Sequence, residues 1–294
     1  MPAPRLRWGL LSTAHINKAL IDPLRTSKRN KVLAVASRSQ AKADEYARKF
    51  KIKCAYGSYA ELLADSDIDV IYNSLPNHLY AEWTIKAVQA GKHVLCEKPL
   101  ALSLVEVDAI STAAEIYGRV VAEAFIYRSH LQSLKVKEIV AGSKFGKIKL
   151  VRGSFTFRAT KPDNICWKPE MSDGSLWDVG CYPLSHTRAL LGVEPLEVFG
   201  GQVIGPTGVD ELFAAHFPAP YWNRDYQEDV YAQFDCSIQL PDQTFMEIIG
   251  REVPLNIPKL FTSGVEEKLL LTRGGKTETI VVKGMELYIG EWKT

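Results

Sequence analysis

Short apolar runs alternate with amphipathic stretches along the first 124 residues. Runs rich in Val, Ile, Leu and Ala predict six strands, at residues 6–11, 31–36, 54–56, 70–73, 94–96 and 120–124. Amphipathic stretches predict helices between them, at residues 15–21, 40–51, 58–63, 79–90 and 102–117. Strands that alternate with helices in this way indicate right-handed βαβ units and a parallel sheet. We therefore expect residues 1–124 to form a dinucleotide-binding Rossmann domain.

The remaining residues, 125–294, have a different pattern with many strands and few helices. Alternating or apolar runs predict strands at residues 146–157, 196–203, 230–240, 243–250, 268–272 and 278–282, with a hairpin turn at Gly274–Gly275. Helices are predicted at residues 131–141 and from Trp177 or Asp178 to Leu191, where Gly192 ends the helix. This pattern favours an α+β domain with a large open, mostly antiparallel sheet. One face of such a sheet is covered by helices and the other can bind a dimer partner.

Composition and charge exclude several classes of protein. A chain of 294 residues is long enough for two domains, and 46% hydrophobic with 24% charged residues is typical of a globular protein. The net charge of +2 gives no reason to expect a nucleic acid or a membrane as partner. The five cysteines are widely spaced and form no C-x-x-C pair, so we expect neither a metal site nor disulfides. With no signal-peptide core or membrane-spanning run, the expected location is cytoplasmic.

A turn after the first strand is the candidate site for the diphosphate of a dinucleotide. It comprises Ser12, Thr13, Ala14, His15 and Ile16. Backbone N–H groups at the start of a helix can bind a pyrophosphate. The glycine fingerprint G-x-G-x-x-G is absent, because its positions fall on Ser12, Ala14 and Asn17. Small side chains at the first two positions leave room for a diphosphate, but a plain strand–helix connection fits this stretch equally well.

The second strand ends in Ser37-Arg38, which bears on the choice of cofactor. An acidic residue at this point accepts hydrogen bonds from the ribose 2′-hydroxyl of NAD, whereas an arginine accommodates the 2′-phosphate of NADP. Because Ser37 and Arg38 offer a hydroxyl and a guanidinium, NADP is favoured over NAD. The alternative is a solvated surface arginine.

The stretch Ala90-Gly-Lys-His-Val-Leu-Cys-Glu-Lys-Pro99 places chemistry at the end of the fifth strand. Ligands bind at the carboxyl ends of strands in open α/β sheets. Lys98 is therefore a candidate for polarising a substrate oxygen or for proton transfer, with Glu97 beside it. The alternative is a Glu–Lys pair on the surface.

Asp178, Tyr182 and His186 share one face of the predicted helix, because residues four apart are neighbours on an α-helix. Oxidation of an alcohol requires a base for the hydroxyl proton while hydride leaves the carbon. A phenol with a pKa near 10 is a poor base at neutral pH, and a nearby ammonium such as Lys98 would lower that pKa. A core tyrosine, a capping aspartate and a packed histidine are the alternatives.

Further candidates for substrate binding are three residues with hydrogen-bonding or ring-stacking side chains. Tyr127 and Arg128 follow the sixth strand, close to where substrate hydroxyls would be held. Trp167 precedes the second-domain helix, and aromatic rings commonly stack on sugar faces. Trp167 fits a position in the core equally well.

Several motifs together resemble one enzyme family. They are Trp8-Gly-Leu-Leu-Ser-Thr-Ala-His-Ile16, Leu75-Pro-Asn-His78, Ala90–Pro99, Glu123-Ala-Phe-Ile-Tyr-Arg128 and Gly174-Ser-Leu-Trp-Asp-Val-Gly-Cys-Tyr182. In this order they resemble the glucose–fructose oxidoreductase/inositol dehydrogenase (Gfo/Idh/MocA) family over nearly the whole chain. The similarity is greatest to the branch with a catalytic tyrosine, which includes dimeric dihydrodiol dehydrogenase and NADP-dependent D-xylose dehydrogenase. Inositol dehydrogenases resemble the chain less, since they carry His where this chain has Tyr182.

The resemblance implies roles for individual residues. Lys98 would position the substrate hydroxyl, Tyr182 would be the proton donor or acceptor, and Asp178 would complete the catalytic group. The peptide bond before Pro99 would be cis, as it often is in relatives. Glu97 would lie against the nicotinamide ribose, with Asn77 and His78 on the same side, and further cofactor-binding residues would be Ser74, Leu75 and Lys98. In relatives a long terminal helix follows the last strand, and because residues 287–294 lie about where that helix would begin, we expect it to be truncated or altered in this chain.

The resulting hypothesis is an NADP-dependent oxidoreductase that acts on a sugar or cyclic polyol, as a homodimer through the C-terminal sheet. One alternative is a sugar–sugar oxidoreductase with tightly bound NADP. Another is a catalytically weak, cofactor-binding regulatory protein, for which the missing glycines and the altered terminal helix are the reasons.

Overall fold

The computed structural model describes residues 5–161, 164–171, 174–192, 194–195, 197–217 and 230–284. The chain divides into two compact units, Met1–Phe125 and Ile126–Thr294. The division lies one residue from the predicted domain boundary. Residues 287–294, where the terminal helix of relatives would begin, lie outside the described residues. Among the described residues, no helix has both the length and the apolar character needed to cross a membrane.

The first unit contains a parallel sheet with helices in the crossovers. Its strands are β1 (Leu6–Leu11), β2 (Asn30–Ala36), β3 (Cys54–Tyr56), β4 (Val70–Asn73), β5 (His93–Cys96) and β6 (Val121–Glu123). Its helices are α1 (Asn17–Thr26), α2 (Gln40–Lys49), α3 (Tyr59–Ala64), α4 (Tyr80–Gln89) and α5 (Leu104–Tyr117). The strand order is β3-β2-β1-β4-β5-β6, and every pair is parallel. The predicted Rossmann-type sheet is confirmed, and its order reverses between β1 and β4, where such folds bind dinucleotides.

Local sequence signals explain where some of these helices begin and end. Ser58 and Ser103 each accept a hydrogen bond from the backbone N–H three residues later, which caps the starts of α3 and α5. Gly118 ends α5 in the left-handed region with φ 60°. Gly9 lies at the centre of the sheet, where an added Cβ would be 2.9 Å from Leu62 Cδ2. The absence of a side chain at Gly9 therefore lets α3 pack closely on β1.

The second unit contains a mixed sheet that is mostly antiparallel, as predicted. Its strands are β7 (Ile148–Arg158), β8 (Phe199–Ile204), β9 (Asp210–Phe217), β10 (Tyr231–Ser237), β11 (Gln239–Gln243), β12 (Met246–Gly250), β13 (Pro254–Ile257), β14 (Glu266–Arg273) and β15 (Lys276–Lys283). Its helices are α6 (Leu131–Ala141) and α7 (Cys181–Leu191). The order is β15-β14-β13-β12-β7-β10-β9-β8, with β11 paired to β7. Among the described pairs of named strands in this sheet, β7 and β10 are parallel and the others antiparallel.

Three features of the second unit differ from the sequence-based expectations. Strands β9 and β13 were not predicted, and the single strand expected at 230–240 is divided into β10 and β11 at Ile238. The helix expected from Trp177 or Asp178 begins as a π-helical segment, Leu176–Gly180, and continues as α7. The wider turn of a π-helix changes which residues share a face. The α-helical spacing of four residues therefore does not by itself place Asp178 and Tyr182 on one face.

Candidate functional site

The polar residues of the first unit that were predicted to bind a cofactor follow the ends of its strands. Ser12 follows β1, Ser37 follows β2, Ser74 follows β4 and Glu97 follows β5. Because all six strands are parallel, these residues lie at one edge of the sheet. That edge is where open α/β sheets bind ligands.

A hydrogen-bond network joins the turn after β1 to the end of β4. Ser12 Oγ donates to the Ser74 carbonyl oxygen at 3.1 Å and accepts from the Ala14 N–H at 3.1 Å. Asn17 Nδ2 donates to the Ser12 carbonyl at 2.8 Å, and Asn17 Oδ1 accepts the Ser74 hydroxyl at 2.6 Å. Asn17 is fully buried. Two of the three non-glycine residues at the fingerprint positions, Ser12 and Asn17, thus act together to hold this turn.

Ser12 also has the backbone conformation that the first fingerprint position favours. Its φ is 100°, in the left-handed region that glycine adopts readily and other residues adopt with strain. Ser12 thus replaces the first glycine of the fingerprint in sequence, but its backbone keeps the positive φ that a glycine would have there.

We predict that Ser12→Ala destabilises the protein more than Ser12→Gly. Both variants lose the hydroxyl, but alanine keeps the strained φ, so the two should differ by about 1–3 kcal/mol in free energy of unfolding. Urea unfolding of both variants measures the difference. Ser27, whose φ is −75°, is the matched control, because there alanine should be at least as stable as glycine. Equal stability of the two Ser12 variants would contradict the prediction.

Arg38 and Ser37 lie directly after β2, in line with the sequence prediction. Arg38 is exposed and Ser37 is buried, with its N–H donating to the Tyr56 carbonyl at 3.0 Å. Burial raises the pKa of Tyr59, and the positive charge and hydrogen bond of Arg38 act in the opposite direction. Arg38, although exposed as a residue, therefore hydrogen-bonds the Tyr59 hydroxyl.

Glu97 and Lys98 have different surroundings at the end of β5. Glu97 is buried, and the Tyr72 hydroxyl donates a hydrogen bond to its carboxylate. Burial raises the pKa of Glu97, while the Tyr72 hydrogen bond and the charge of Lys98 oppose this increase. Lys98 is half-buried, and the peptide bond between Lys98 and Pro99 is cis, as the resemblance implied.

The segment after β4 forms a short 3₁₀ turn, Asn77–Leu79, before α4. Leu75 is buried, whereas His78 is exposed and Asn77 is half-exposed. Asn73, the last residue of β4, is fully buried and donates from Nδ2 to Thr84 Oγ1 at 3.1 Å. This bond holds the end of β4 against α4.

Tyr182 lies in the first turn of α7, within a cluster of aromatic rings in the second unit. The aromatic cluster consists of Tyr127, Phe155, Tyr182, His186 and Phe261. The Tyr182 ring centroid lies 5.3 Å from that of Phe155, 5.5 Å from that of Phe261 and 6.1 Å from that of Tyr127. Aromatic pairs at these separations attract beyond their burial alone. Three rings therefore hold the ring of Tyr182, which is itself only half-buried.

The start of the π-helical segment is anchored by Asp210, at the beginning of β9. Asp210 Oδ2 accepts hydrogen bonds from Ser175 Oγ at 2.5 Å and from the Leu176 N–H at 2.8 Å. Gly174 has φ 137°, and an added Cβ would lie 2.2 Å from Asp210 Oδ1. At Gly180 an added Cβ would lie 2.6 Å from Cys236 Sγ. Both glycines thus let the segment carrying Asp178 approach β9 and β10 closely.

A second set of polar contacts lies beside the aromatic cluster. The Ser185 hydroxyl lies 2.8 Å from the Tyr127 hydroxyl and accepts a hydrogen bond from Arg128 Nη2 at 2.8 Å. Burial raises the pKa of Tyr127. His186 is buried, and its Nδ1 has no hydrogen-bond partner among the described residues. Burial, with the charges of Lys137 and Arg128, lowers the pKa of His186 to about 3.

Within the second unit, four predicted site residues come together: Tyr127, Arg128, Tyr182 and His186. Trp167 lies elsewhere, in a 3₁₀ turn, and packs against a separate buried group of Cys166, Val209 and Ile238. Trp167 Nε1 donates to the Lys161 carbonyl at 3.1 Å. These contacts favour the core position that the sequence left open for this residue.

Sequence reasoning missed four residues around Tyr182: Phe155, Ser185, Asp210 and Phe261. Phe155 lies in a predicted strand, and Ser185 lies three residues after Tyr182, so helical spacing could have pointed to Ser185. No local signal links Asp210 or Phe261 to α7. Their roles depend on the tertiary fold.

Comparison with known proteins agrees with this architecture. Residues 6–125 match the model of the GFO/IDH/MocA oxidoreductase family with an NAD-binding Rossmann fold. Residues 133–253 match the GFO/IDH/MocA C-terminal domain. A solved structure of KijD10, a 3-ketoreductase from Actinomadura kijaniata, superposes with a TM-score of 0.88 at 24% identity, covering 97% of this chain and 86% of that one. The likeness to KijD10 shows the fold alone.

Two curated relatives are more similar in sequence. D-xylose 1-dehydrogenase (NADP(+)) 2 of Haloferax volcanii is 40% identical over 188 residues, which cover 64% of this chain and 58% of that protein. Trans-1,2-dihydrobenzene-1,2-diol dehydrogenase of Danio rerio is 32% identical over 275 residues, which cover 89% of this chain and 79% of that protein. Both are of the branch that the motifs resembled, so the prediction of the family is confirmed. This chain therefore belongs to the GFO/IDH/MocA family of NAD(P)-dependent oxidoreductases.

Proposed function

We propose that the protein is an NADP-dependent dehydrogenase or reductase that acts on a CH–OH carbon of a sugar or cyclic polyol. The observation that carries the proposal is the placement of Tyr182. Its half-buried phenol is held by three aromatic rings at the start of α7, in a family whose relatives include a D-xylose dehydrogenase and a dihydrodiol dehydrogenase. The hydroxyl of a ring held in this way is suited to proton exchange with a substrate.

The residues at the edge of the first sheet fit NADP. Arg38 is exposed at the end of β2, where NAD-specific domains carry a carboxylate, and a guanidinium pairs well with a phosphate. The turn at Ser12 has the backbone conformation of the glycine fingerprint, and Thr13, Ala14, His15 and Ile16 continue it into α1. We assign the diphosphate to this turn. The nicotinamide ribose is assigned to residues following β4 and β5: Ser74, Leu75, Asn77, His78 and Glu97.

Bound NADP would supply the nicotinamide C4 that accepts or gives up hydride. In the oxidation direction the C–H bond breaks with both electrons, and the proton of the hydroxyl goes to Tyr182, so that a carbonyl forms. Lys98 is assigned to stabilise the phenolate form of Tyr182 by its positive charge, and Asp178 to support the same proton transfer. In reduction, Tyr182 returns the proton to the oxygen.

We assign the substrate hydroxyls to Tyr127, Arg128 and His186 beside Tyr182. The Ser185 bridge between Tyr127 and Arg128 supports this assignment, because it fixes both side chains near the aromatic cluster. Trp167 remains a weaker candidate, given its packing against Cys166. The units Met1–Phe125 and Ile126–Thr294 are assigned to cofactor binding and to substrate binding, respectively.

A homodimer through the second sheet is part of the proposal. All six residues of β8 are exposed, including Phe199, Val203 and Ile204. The rings of Phe199 and Tyr231 stack on His216 from neighbouring strands, which places these three side chains on one surface. Exposed apolar patches of this kind are typical of interfaces. Light scattering coupled to gel filtration tests this, because a homodimer should have twice the 32.8 kDa mass of one chain.

The test of the function is turnover with a panel of aldoses and cyclic polyols, followed by absorbance of the reduced nicotinamide. We expect turnover of at least one member, with a kcat/KM for NADP more than about tenfold that for NAD, since Arg38 would lose its phosphate partner in NAD. Arg38→Ser should remove most of the preference. NADPH binding with no turnover on any member would contradict the proposal and favour a regulatory protein. Cofactor that survives desalting would favour the sugar–sugar oxidoreductase.

A further inference from the structure

The second unit contains a cavity that none of the predicted site residues lines. Its volume is about 740 Å³. It lies between the end of β7 and two connections, one from β11 to β12 and one from β13 to β14. Phe155 and Phe157 come from β7, Thr244 from the first connection, and Lys259 and Thr262 from the second.

This cavity adjoins the aromatic cluster around Tyr182. Phe155 belongs to both, since it lines the cavity and its ring centroid lies 5.3 Å from that of Tyr182. Phe155 also stacks on Phe261, at 5.6 Å and 9°, and Phe261 directly precedes Thr262 in the cavity wall. The space therefore begins one aromatic ring away from the proposed acid/base group.

The lining combines rings with hydroxyl, amide and charged groups. Phe155, Phe157 and Phe245 contribute the apolar surfaces on which sugar rings stack. Thr244 and Thr262, whose Oγ1 atoms lie 3.2 Å apart, contribute hydroxyls. A threonine hydroxyl can both donate a hydrogen bond to a sugar hydroxyl and accept one from it.

Charge distinguishes between two kinds of ligand for this cavity. Lys259 and Asp242 both line it, so the one positive and the one negative side chain of the lining cancel in net charge. The diphosphate of a nucleotide sugar would need several cationic donors, and it would be repelled by Asp242. A neutral ligand has neither requirement.

We propose that this cavity binds a second, neutral glycosyl unit, attached to the sugar that reacts at Tyr182. The proposal rests on the proposed function and makes its substrate class a disaccharide or glycoside. Cavities of roughly 300–1,000 Å³ hold ligands larger than one sugar ring, and this cavity lies in that range.

The first measurement compares each monosaccharide with a disaccharide that has the same reducing sugar: D-xylose with xylobiose, and D-glucose with cellobiose. We expect the disaccharide KM to be at least about tenfold lower, because the second ring adds contacts that the monosaccharide lacks. Calorimetric titration of xylobiose and cellobiose into the protein without added cofactor measures binding where no hydride transfer can occur. If no sugar turns over, the proposed function fails, and the titration still decides whether the cavity binds a disaccharide.

Variants of the cavity wall locate the effect. Asp242→Asn and Thr262→Val should each weaken disaccharide binding by about tenfold and leave monosaccharide kinetics unchanged, since the first loses a charged hydrogen-bond acceptor and the second loses a hydroxyl. Both residues are exposed, so neither change removes buried contacts. Glu278→Gln, on the exposed edge strand β15, is the matched carboxylate-to-amide control and should change neither substrate.

Three results would overturn the proposal. One is equal binding of disaccharide and monosaccharide. Another is a disaccharide preference that survives in both cavity variants. The third is tighter binding of UDP-glucose than of either disaccharide, together with weaker UDP-glucose binding in Thr262→Val and tighter UDP-glucose binding in Asp242→Asn.

Discussion

Replacement of Tyr182 by phenylalanine is expected to lower kcat by about 10²–10⁴-fold, the contribution typical of a positioned acid/base group. The variant keeps the ring and its contacts with Tyr127, Phe155 and Phe261. The fold should therefore be unchanged, and the lost activity should reflect the missing hydroxyl alone. Steady-state kinetics with NADP and the preferred sugar measure the effect, and fluorescence titration with NADPH should give an unchanged Kd.

Tyr117→Phe is the matched control, because it makes the same chemical change on the exposed side of α5. Its kcat should equal that of the wild type. The pH profile adds a readout that a purely structural role would not affect. The wild type should show a limb for the acid/base group in kcat/KM, and this limb should disappear in Tyr182→Phe. A Tyr182→Phe variant that turns over within twofold of the wild type would rule out the assignment.

The parallel sheet could be predicted from the sequence because its signals are local. Each strand of the first unit is a short apolar run bounded by polar or small residues, and Ser58, Ser103 and Gly118 mark helix ends. In the second unit the local signals are weaker. Strand β13 has four residues and begins with Pro254, and proline usually argues against a strand within a sheet. Only its pairing with β12 and β14 defines it.

The parts of the candidate site that could not be predicted from the sequence also depend on long-range contacts. Lys98, Tyr182 and Arg38 could be named from motifs and strand ends, since their positions follow from the order of elements. The π-helical segment could not, because periodicity does not reveal a turn that is one residue wider. Asp210, which anchors that segment, is 34 residues from Leu176 in the chain. The geometry around Tyr182 is thus set by long-range contacts, whereas the identity of the residue is set by a local motif.

His186 illustrates how burial changes the interpretation of a residue chosen by spacing. On the predicted helix it appeared as a third member of the face with Asp178 and Tyr182. In the structure it is 5% exposed, its ring packs against Tyr127 and Phe261, and its Nδ1 has no partner among the described residues. With a pKa of about 3, His186 is neutral at pH 7. Toward a substrate it can therefore act as a neutral imidazole and not as a positively charged imidazolium that donates a proton.

This lowered pKa predicts how stability depends on pH. In the unfolded chain a histidine takes up a proton below about pH 6.5, whereas in the folded chain His186 resists protonation until about pH 3. The unfolded state therefore binds more protons in this window, and the protein loses stability as the pH falls from 6.5 towards 3. The loss from this one group approaches about 1.4 kcal/mol per pH unit.

His186→Phe should remove this contribution. Phenylalanine keeps an aromatic ring in the cluster and cannot be protonated, and it removes a buried nitrogen without a partner. The variant should be at least as stable as the wild type at pH 7, and by pH 4 it should be more stable by about 3 kcal/mol. Urea unfolding at pH 7, 6, 5 and 4 measures the difference, with His15→Gln, an exposed histidine, as control. Parallel stability curves for wild type and His186→Phe between pH 7 and 4 would mean that His186 titrates normally in the folded protein, and hence that its ring is accessible to water or to an anionic partner.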